Sequence, residues 1–225
     1  ISPDTLNINI SNMKDSLESD IDTIVPVHVF GNPCNVEGIN DIALKHNLNV
    51  IYDAAHAFGV NYNNQSILNY GDISTLSFHA TKLFHTGEGG AIVTKDKELA
   101  NTAFSMHNFG HQGQEDFEGL GINGKNSELH AAMGLAMLPY MNTIIEKRKR
   151  LSVLYDDLLK NSHLTKPQIP VDTVYNYAYY PVIFPSEKSL LASKERLNKE
   201  NIFPRRYFFP ALNSLNYVDY QECKV

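Results

Sequence analysis

The chain has 225 residues, 43% of them hydrophobic, enough for a large domain with a substantial buried core. Its formal net charge of −6 argues against general nucleic-acid binding, which favours basic faces. No apolar run approaches the ~18 residues of a membrane-spanning helix, and the opening Ile1-Ser2-Pro3-Asp4-Thr5-Leu6 lacks the basic and apolar regions of a signal peptide. Cys34 and Cys223 lie far apart and fit reduced thiols. These features predict a cytoplasmic protein. The absence of an initiator Met predicts that the chain is part of a longer protein.

Thr23-Ile24-Val25-Pro26-Val27-His28-Val29-Phe30 reads as a buried strand ending at the turn signal Gly31-Asn32-Pro33. Val36, Ile39, Ile42 and Ala43 have helical spacing, and Asn35 can cap that helix through its side-chain oxygen. Asn49-Val50-Ile51-Tyr52 is a second buried strand, so the region forms a strand–helix–strand unit with a parallel sheet. Further strands are predicted at 73–78 and 90–94, then a helix from Asp96 to about His107. Gly110 to Gly124 reads as a long loop. A helical pattern runs from Ser127 to about Leu159, with Glu128 in its first turn and a bend or break near Pro139. The run Lys147-Arg148-Lys149-Arg150 is a solvated helix face. Thr165 to Pro170 reads as a linker, Tyr177 to Phe184 as a strand and Glu187 to Asn201 as a helix. Composition changes near residue 140, which predicts a domain at 1–140 and a second at 141–225.

Three segments carry chemistry. Asp53-Ala54-Ala55-His56 begins at the C-terminal end of a buried strand, where open α/β sheets bind ligands. Alone, Asp53 reads as a turn cap and His56 as a packed histidine. Ser77-Phe78-His79-Ala80-Thr81-Lys82 ends another strand and runs into Gly87-Glu88-Gly89-Gly90. Lys82, flanked by Leu83 and Phe84, can lose its proton by desolvation and act as a nucleophile. Gly121-Ile122-Asn123-Gly124-Lys125 precedes a helix and alone reads as a loop and cap.

Together, in this order, these segments resemble the DegT-type sugar nucleotide aminotransferases, from about Val25 to Tyr217. Val27-His28-Val29-Phe30-Gly31 and Arg205-Arg206-Tyr207 share the likeness. The resemblance implies the fold-type-I architecture of enzymes that use pyridoxal 5′-phosphate (PLP). That is an α/β fold with a mainly parallel central sheet flanked by helices, and a small C-terminal α+β domain. It implies a homodimer with shared active sites, a nucleotide-sugar substrate and L-glutamate as amino donor. Within the family the likeness is greatest to enzymes that aminate dTDP-4-keto-6-deoxyglucose. By the same resemblance Lys82 matches the Schiff-base lysine and Asp53 the carboxylate facing the pyridine nitrogen. His56 stands near the cofactor's phenolic oxygen, and Ser77 matches a phosphate-binding hydroxyl. Asn123 matches an asparagine that reaches the phosphate of the neighbouring subunit's cofactor. Lys125 stands where many members have Arg. The family's Gly-Thr or Gly-Ser phosphate cup and its ring-stacking aromatic belong to a preceding segment and do not occur here.

PLP stabilises a carbanion next to nitrogen. It does so best with a protonated ring nitrogen, which a carboxylate such as Asp53 favours. A lysine amine at position 82 can move the proton that transamination shifts. Three other readings compete. A PLP-dependent sugar dehydratase has His where this chain has Lys82. A non-catalytic relative predicts damage to the set, and the set is intact. A PLP-free Schiff-base lyase leaves Asp53 and Asn123 without a role.

Overall fold

The computed structural model describes residues 1–219. Cys223 lies outside them. A short helix, α1 (Ile10–Asp15), is capped by Asn9, whose Oδ1 accepts from the N–H groups of Ser11 and Asn12. Strand β1 is only Thr23–Ile24 and pairs in parallel with β2 (Asn49–Asp53). The predicted strand to Phe30 is therefore cut short. Pro26 has no N–H for the ladder, although its carbonyl still accepts from Asp53 N–H at 2.9 Å. The segment is also covered on one face only: Ile24, Pro26 and His28 are buried while Val25 and Val27 face outward.

Helix α2 (Val36–His46) forms where its spacing predicts, and Asn35 Oδ1 accepts from Gly38 N–H at 2.9 Å. Its apolar face, Val36, Ile39, Ile42 and Ala43, packs with Val50 and Tyr52 of β2 in the main core. Burial of each of the branched side chains contributes about 1.5–3 kcal/mol. Next come β3 (Asn61–Tyr62) and β4 (Gln65–Ser66), a hairpin turned by Asn63 and Asn64, both at positive φ. Strand β5 (Ile73–Ser77) pairs in parallel with β2, and β6 (Gly90–Val93) pairs antiparallel with β5. The sheet order is β1-β2-β5-β6, mostly parallel, with α2 over one face.

Asp96 caps α3 (Lys97–His107). Helix α4 (Glu128–Met137) starts at Ser127, passes through a tight turn at Leu138–Tyr140 containing Pro139, and gives way to α5 (Met141–Leu159). Beyond α5 the expected strand at 177–184 does not form. Tyr177 takes φ 51°, which breaks an extended run, and only an isolated bridge joins Thr165 to Ile183. A short β7 (Thr173–Val174) instead joins β3, making a second sheet of order β4-β3-β7. Helix α6 (Glu187–Lys199) begins at its Ser186 cap. No helix among the described residues is long and apolar enough to cross a membrane.

A second core joins the loop after β5 to α5 and to the segment that follows it. Leu83 and Phe84 pack with Met141 of α5 and with Ala178, and Phe58, Phe78 and Tyr179 border them. The accessible surface is 15596 Å². A folded monomer of this mass exposes about 10,000 Å². Exposed apolar side chains include Leu120 and Ile122 in the loop before α4, Leu129 and Leu135 on it, and Leu138 in the turn that follows.

Candidate functional site

Asp53 and Ser77 end two adjacent parallel strands, β2 and β5, with Asp53 paired to Thr75 across the ladder. This is the edge of an open sheet where ligands bind. Asp53 Oδ1 accepts from Ala55 N–H at 3.0 Å, which sets the carboxylate over the turn that carries His56.

Lys82 follows Ser77 on a tightly closed loop. Phe78 N–H donates to the Gly89 carbonyl at 2.8 Å, Thr86 N–H to the Phe78 carbonyl at 2.9 Å, and Lys82 N–H to the His79 carbonyl at 2.9 Å. Leu83 and Phe84 anchor the loop in the second core, where Phe84 stacks on Phe58 with centroids 4.5 Å apart. The backbone of Lys82 is thus fixed while its side chain stays half-buried. Its amine makes no hydrogen bond or ion pair with any described residue. Burial pushes its pKa below the usual lysine value, Asp53 opposes that, and Arg205 reinforces it. Ser77 Oγ accepts from His79 N–H at 3.4 Å, within the same turn.

His56 stands beside this pair. Burial lowers its pKa to about 4; the Lys82 charge adds to the effect and Asp53 opposes it. Its Nδ1 accepts from the peptide N–H of Phe30 at 3.1 Å. The ring is near-parallel to Phe30 at 6.1 Å and tilted against Tyr179 at 4.7 Å.

Lys82, Asp53 and His56 therefore converge, Ser77 ends the strand beside Asp53, and Asn123 does not join them. Asn123 lies in the exposed loop before α4, bridged to Asn108, and its Oδ1 accepts from Lys125 Nζ at 2.7 Å. Lys125 also sits 4.1 Å over the Phe109 ring. Sequence reasoning missed Asn176 and Tyr179, which touch His56, and Tyr175, which donates to the Phe30 carbonyl. The run Tyr175-Asn176-Tyr177-Ala178-Tyr179-Tyr180 offered a signal: a buried Asn amid tyrosines is out of place in a plain strand.

Residues 1–225 match the model of the DegT/DnrJ/EryC1/StrS aminotransferase family. The chain belongs to that family. It is 42% identical over 203 residues to a dTDP-4-amino-4,6-dideoxy-D-glucose transaminase of Shigella dysenteriae, covering 89% of this chain and 55% of that protein. An Escherichia coli protein of the same name is 35% identical, covering 96% of this chain and 59% of its own. The solved structure of DesI in the presence of its TDP-sugar product superposes with a TM-score of 0.90 at 30% identity, over 100% of this chain and 58% of that one. The chain thus spans little more than half the length of the relatives it matches.

PLP is the cofactor of this family, and the residues at this site fit it. Lys82 supplies an amine eased toward its neutral form, and Asp53 a carboxylate close enough to act on both Lys82 and His56. His56 has one ring nitrogen committed to Phe30, leaving the other to serve as a donor.

Proposed function

We propose that the protein carrying this chain transfers an amino group from L-glutamate to a nucleotide-linked keto-deoxysugar, with dTDP-4-keto-6-deoxyglucose the favoured acceptor. In this reading the acceptor's C=O becomes CH–NH₂ and glutamate leaves as 2-oxoglutarate. The observation that carries it is the convergence of Lys82, Asp53 and His56 at the C-terminal edge of the parallel sheet. The names of the Shigella and Escherichia relatives support the sugar.

Bound PLP would supply an electron sink for the carbanion. Lys82 would hold the cofactor covalently and, once released from it, carry the proton between two carbons. An amine whose neutral form is favoured by burial suits both roles. Asp53 would keep the pyridine nitrogen protonated, Ser77 would donate to the phosphate, and His56 to the phenolic oxygen.

Asn123 belongs to this reading through a second subunit. Its exposure, and the exposed apolar side chains beside it on α4, support a homodimer in which Asn123 of one protomer meets the cofactor phosphate of the other. Lys125 would accompany it. A cytoplasmic location, a biosynthetic role in surface polysaccharide, and a division into domains at 1–140 and 141–225 complete the proposal. The tight turn around Pro139 supports that boundary.

Mass spectrometry of products from nucleotide keto-sugars and glutamate tests the reaction. An amino sugar is expected. A deoxygenated keto sugar would assign a dehydratase instead. Sedimentation velocity tests the dimer, and a monomer in the presence of PLP would contradict the shared site.

A further inference from the structure

Phe30 takes a left-handed backbone conformation, φ 58° and ψ 16°, although its side chain is large and buried. A residue with a Cβ avoids that region unless its surroundings hold it there. Tyr175 Oη donates to the Phe30 carbonyl at 2.7 Å. Just upstream, Val29 N–H donates to the buried Asn7 Oδ1 at 3.0 Å. The Phe30 ring lies near-parallel to His56 and to Phe208 and meets Tyr207 edge-on. So held, the Phe30 backbone aims its N–H, across the Cα from the held carbonyl, at His56 Nδ1, 3.1 Å away. A peptide N–H only donates. Nδ1 is therefore the acceptor of the ring, and the ring hydrogen sits on Nε2.

We propose that Tyr175 is a positioning residue that acts through the backbone conformation of Phe30 to hold His56 as its neutral Nε2–H tautomer, a fixed donor beside Lys82 and Asp53. The value of that donor for catalysis rests on the PLP reading above; the tautomer does not. The alternative Nδ1–H ring would leave a lone pair rather than a donor at Nε2. A charged ring would place a second cation next to Lys82. The groups that act on His56 are Lys82 and Asp53, with the Tyr179 ring against it and Arg205 acting on both Lys82 and Tyr179. Tyr175 suits its part, because burial raises its phenol pKa and keeps the hydroxyl a donor. Asn176, the next residue, holds the His56 carbonyl, so one short segment grips the histidine at both its backbone and its ring.

Long-range ¹H–¹⁵N correlation spectra of the full chain, with ¹⁵N-labelled histidine and with or without PLP, test this. His56→Gln assigns the signals. The expected spectrum at pH 7 shows a neutral Nε2–H ring for His56. Tyr175→Phe is expected to mix the tautomers, so that Nδ1–H and Nε2–H patterns appear together. Tyr177→Phe removes a neighbouring hydroxyl whose ring is 5.3 Å from Tyr175 and is expected to leave the pattern intact. An Nδ1–H or charged ring in the parent protein overturns the proposal, as does an unchanged pattern in folded Tyr175→Phe. Should Tyr175→Phe not fold, the ¹⁵N–¹⁵N coupling across the hydrogen bond from the Phe30 amide to His56 Nδ1 in the parent protein decides: it is expected to be present, and its absence overturns the proposal. Absence of a Lys82-dependent cofactor band would fail the PLP reading alone and leave the tautomer standing.

Discussion

Asn176 donates its side-chain amide to the carbonyls of His56 and Phe58, each at 2.9 Å, from 120 and 118 residues further along the chain. Its Oδ1 accepts from Ala178 N–H at 3.1 Å, and the side chain is fully buried. One amide thus ties the tyrosine-rich segment after α5 to the turn that carries His56. Asn176→Ala leaves these three backbone groups without their partner. The expected loss is about 2–4 kcal/mol, read from the urea midpoint. A loss below about 0.5 kcal/mol would mean that the tie is not structural.

Gly31 presses on the same carbonyl. A Cβ there would lie 2.6 Å from the His56 oxygen, and the residue has φ +83°. Gly31→Ala is expected to destabilise by about 2 kcal/mol or more and to disturb His56. Gly113 makes the control: its φ is +97°, but no atom lies within 4 Å of an added Cβ. Gly113→Ala is expected to cost about 1 kcal/mol, from backbone strain alone. Equal costs at the two sites would contradict the packing account.

Acid should weaken the fold before the carboxylates titrate. His28 is fully buried and stacked on Tyr52 at 4.6 Å. Its Nδ1 accepts from Cys34 N–H, and its Nε2 meets no hydrogen-bond partner among the described residues. Burial lowers its pKa from 6.5 to about 3. With the folded value depressed, the unfolded chain takes up the proton first. Stability is therefore level above pH 6.5 and falls as pH drops toward 3, by up to about 1.4 kcal/mol per pH unit. His56 adds in the same sense down to about 4. Urea midpoints between pH 7 and 4.5 check this, and His28→Asn is expected to flatten the slope.

What was legible in the sequence is what short-range chemistry determines. Asn35, Asp96, Ser127 and Ser186 each accept from N–H groups in the first turn of the helix they open, so those starts could be read from adjacent residues. Pro139 marked the break between α4 and α5 because it has no N–H to give to the preceding turn. The short strand at Thr23–Ile24 was overestimated because apolar content does not report which face is covered. The pairing of β7 with β3, and the reach of Tyr175 and Asn176 to Phe30 and His56, join residues more than a hundred positions apart. Nothing local encodes them. The site divides along the same line. Asp53, His56 and Lys82 lie at or just beyond two neighbouring strand ends and come together, with Ser77 at the end of β5. Asn123 sits on a separate exposed loop, and its proposed role requires another subunit.

Asp53 offers a graded test of the electrostatic arrangement. Its charge raises the pKa values of both Lys82 and His56. Asp53→Asn removes that charge with little change of shape. Both groups are expected to titrate lower, and PLP-dependent turnover to fall by about a hundredfold or more, given the barrier that an unprotonated pyridine adds. Unchanged turnover would remove Asp53 from the mechanism.

The most direct test is of Lys82 itself. The protein is incubated with PLP, reduced with borohydride and mapped by peptide mass spectrometry. Our account predicts a stable pyridoxyl adduct on the peptide containing Lys82, and loss of both the adduct and the visible cofactor band in Lys82→Ala. Labelling confined to other lysines, or an undiminished band in Lys82→Ala, would contradict it.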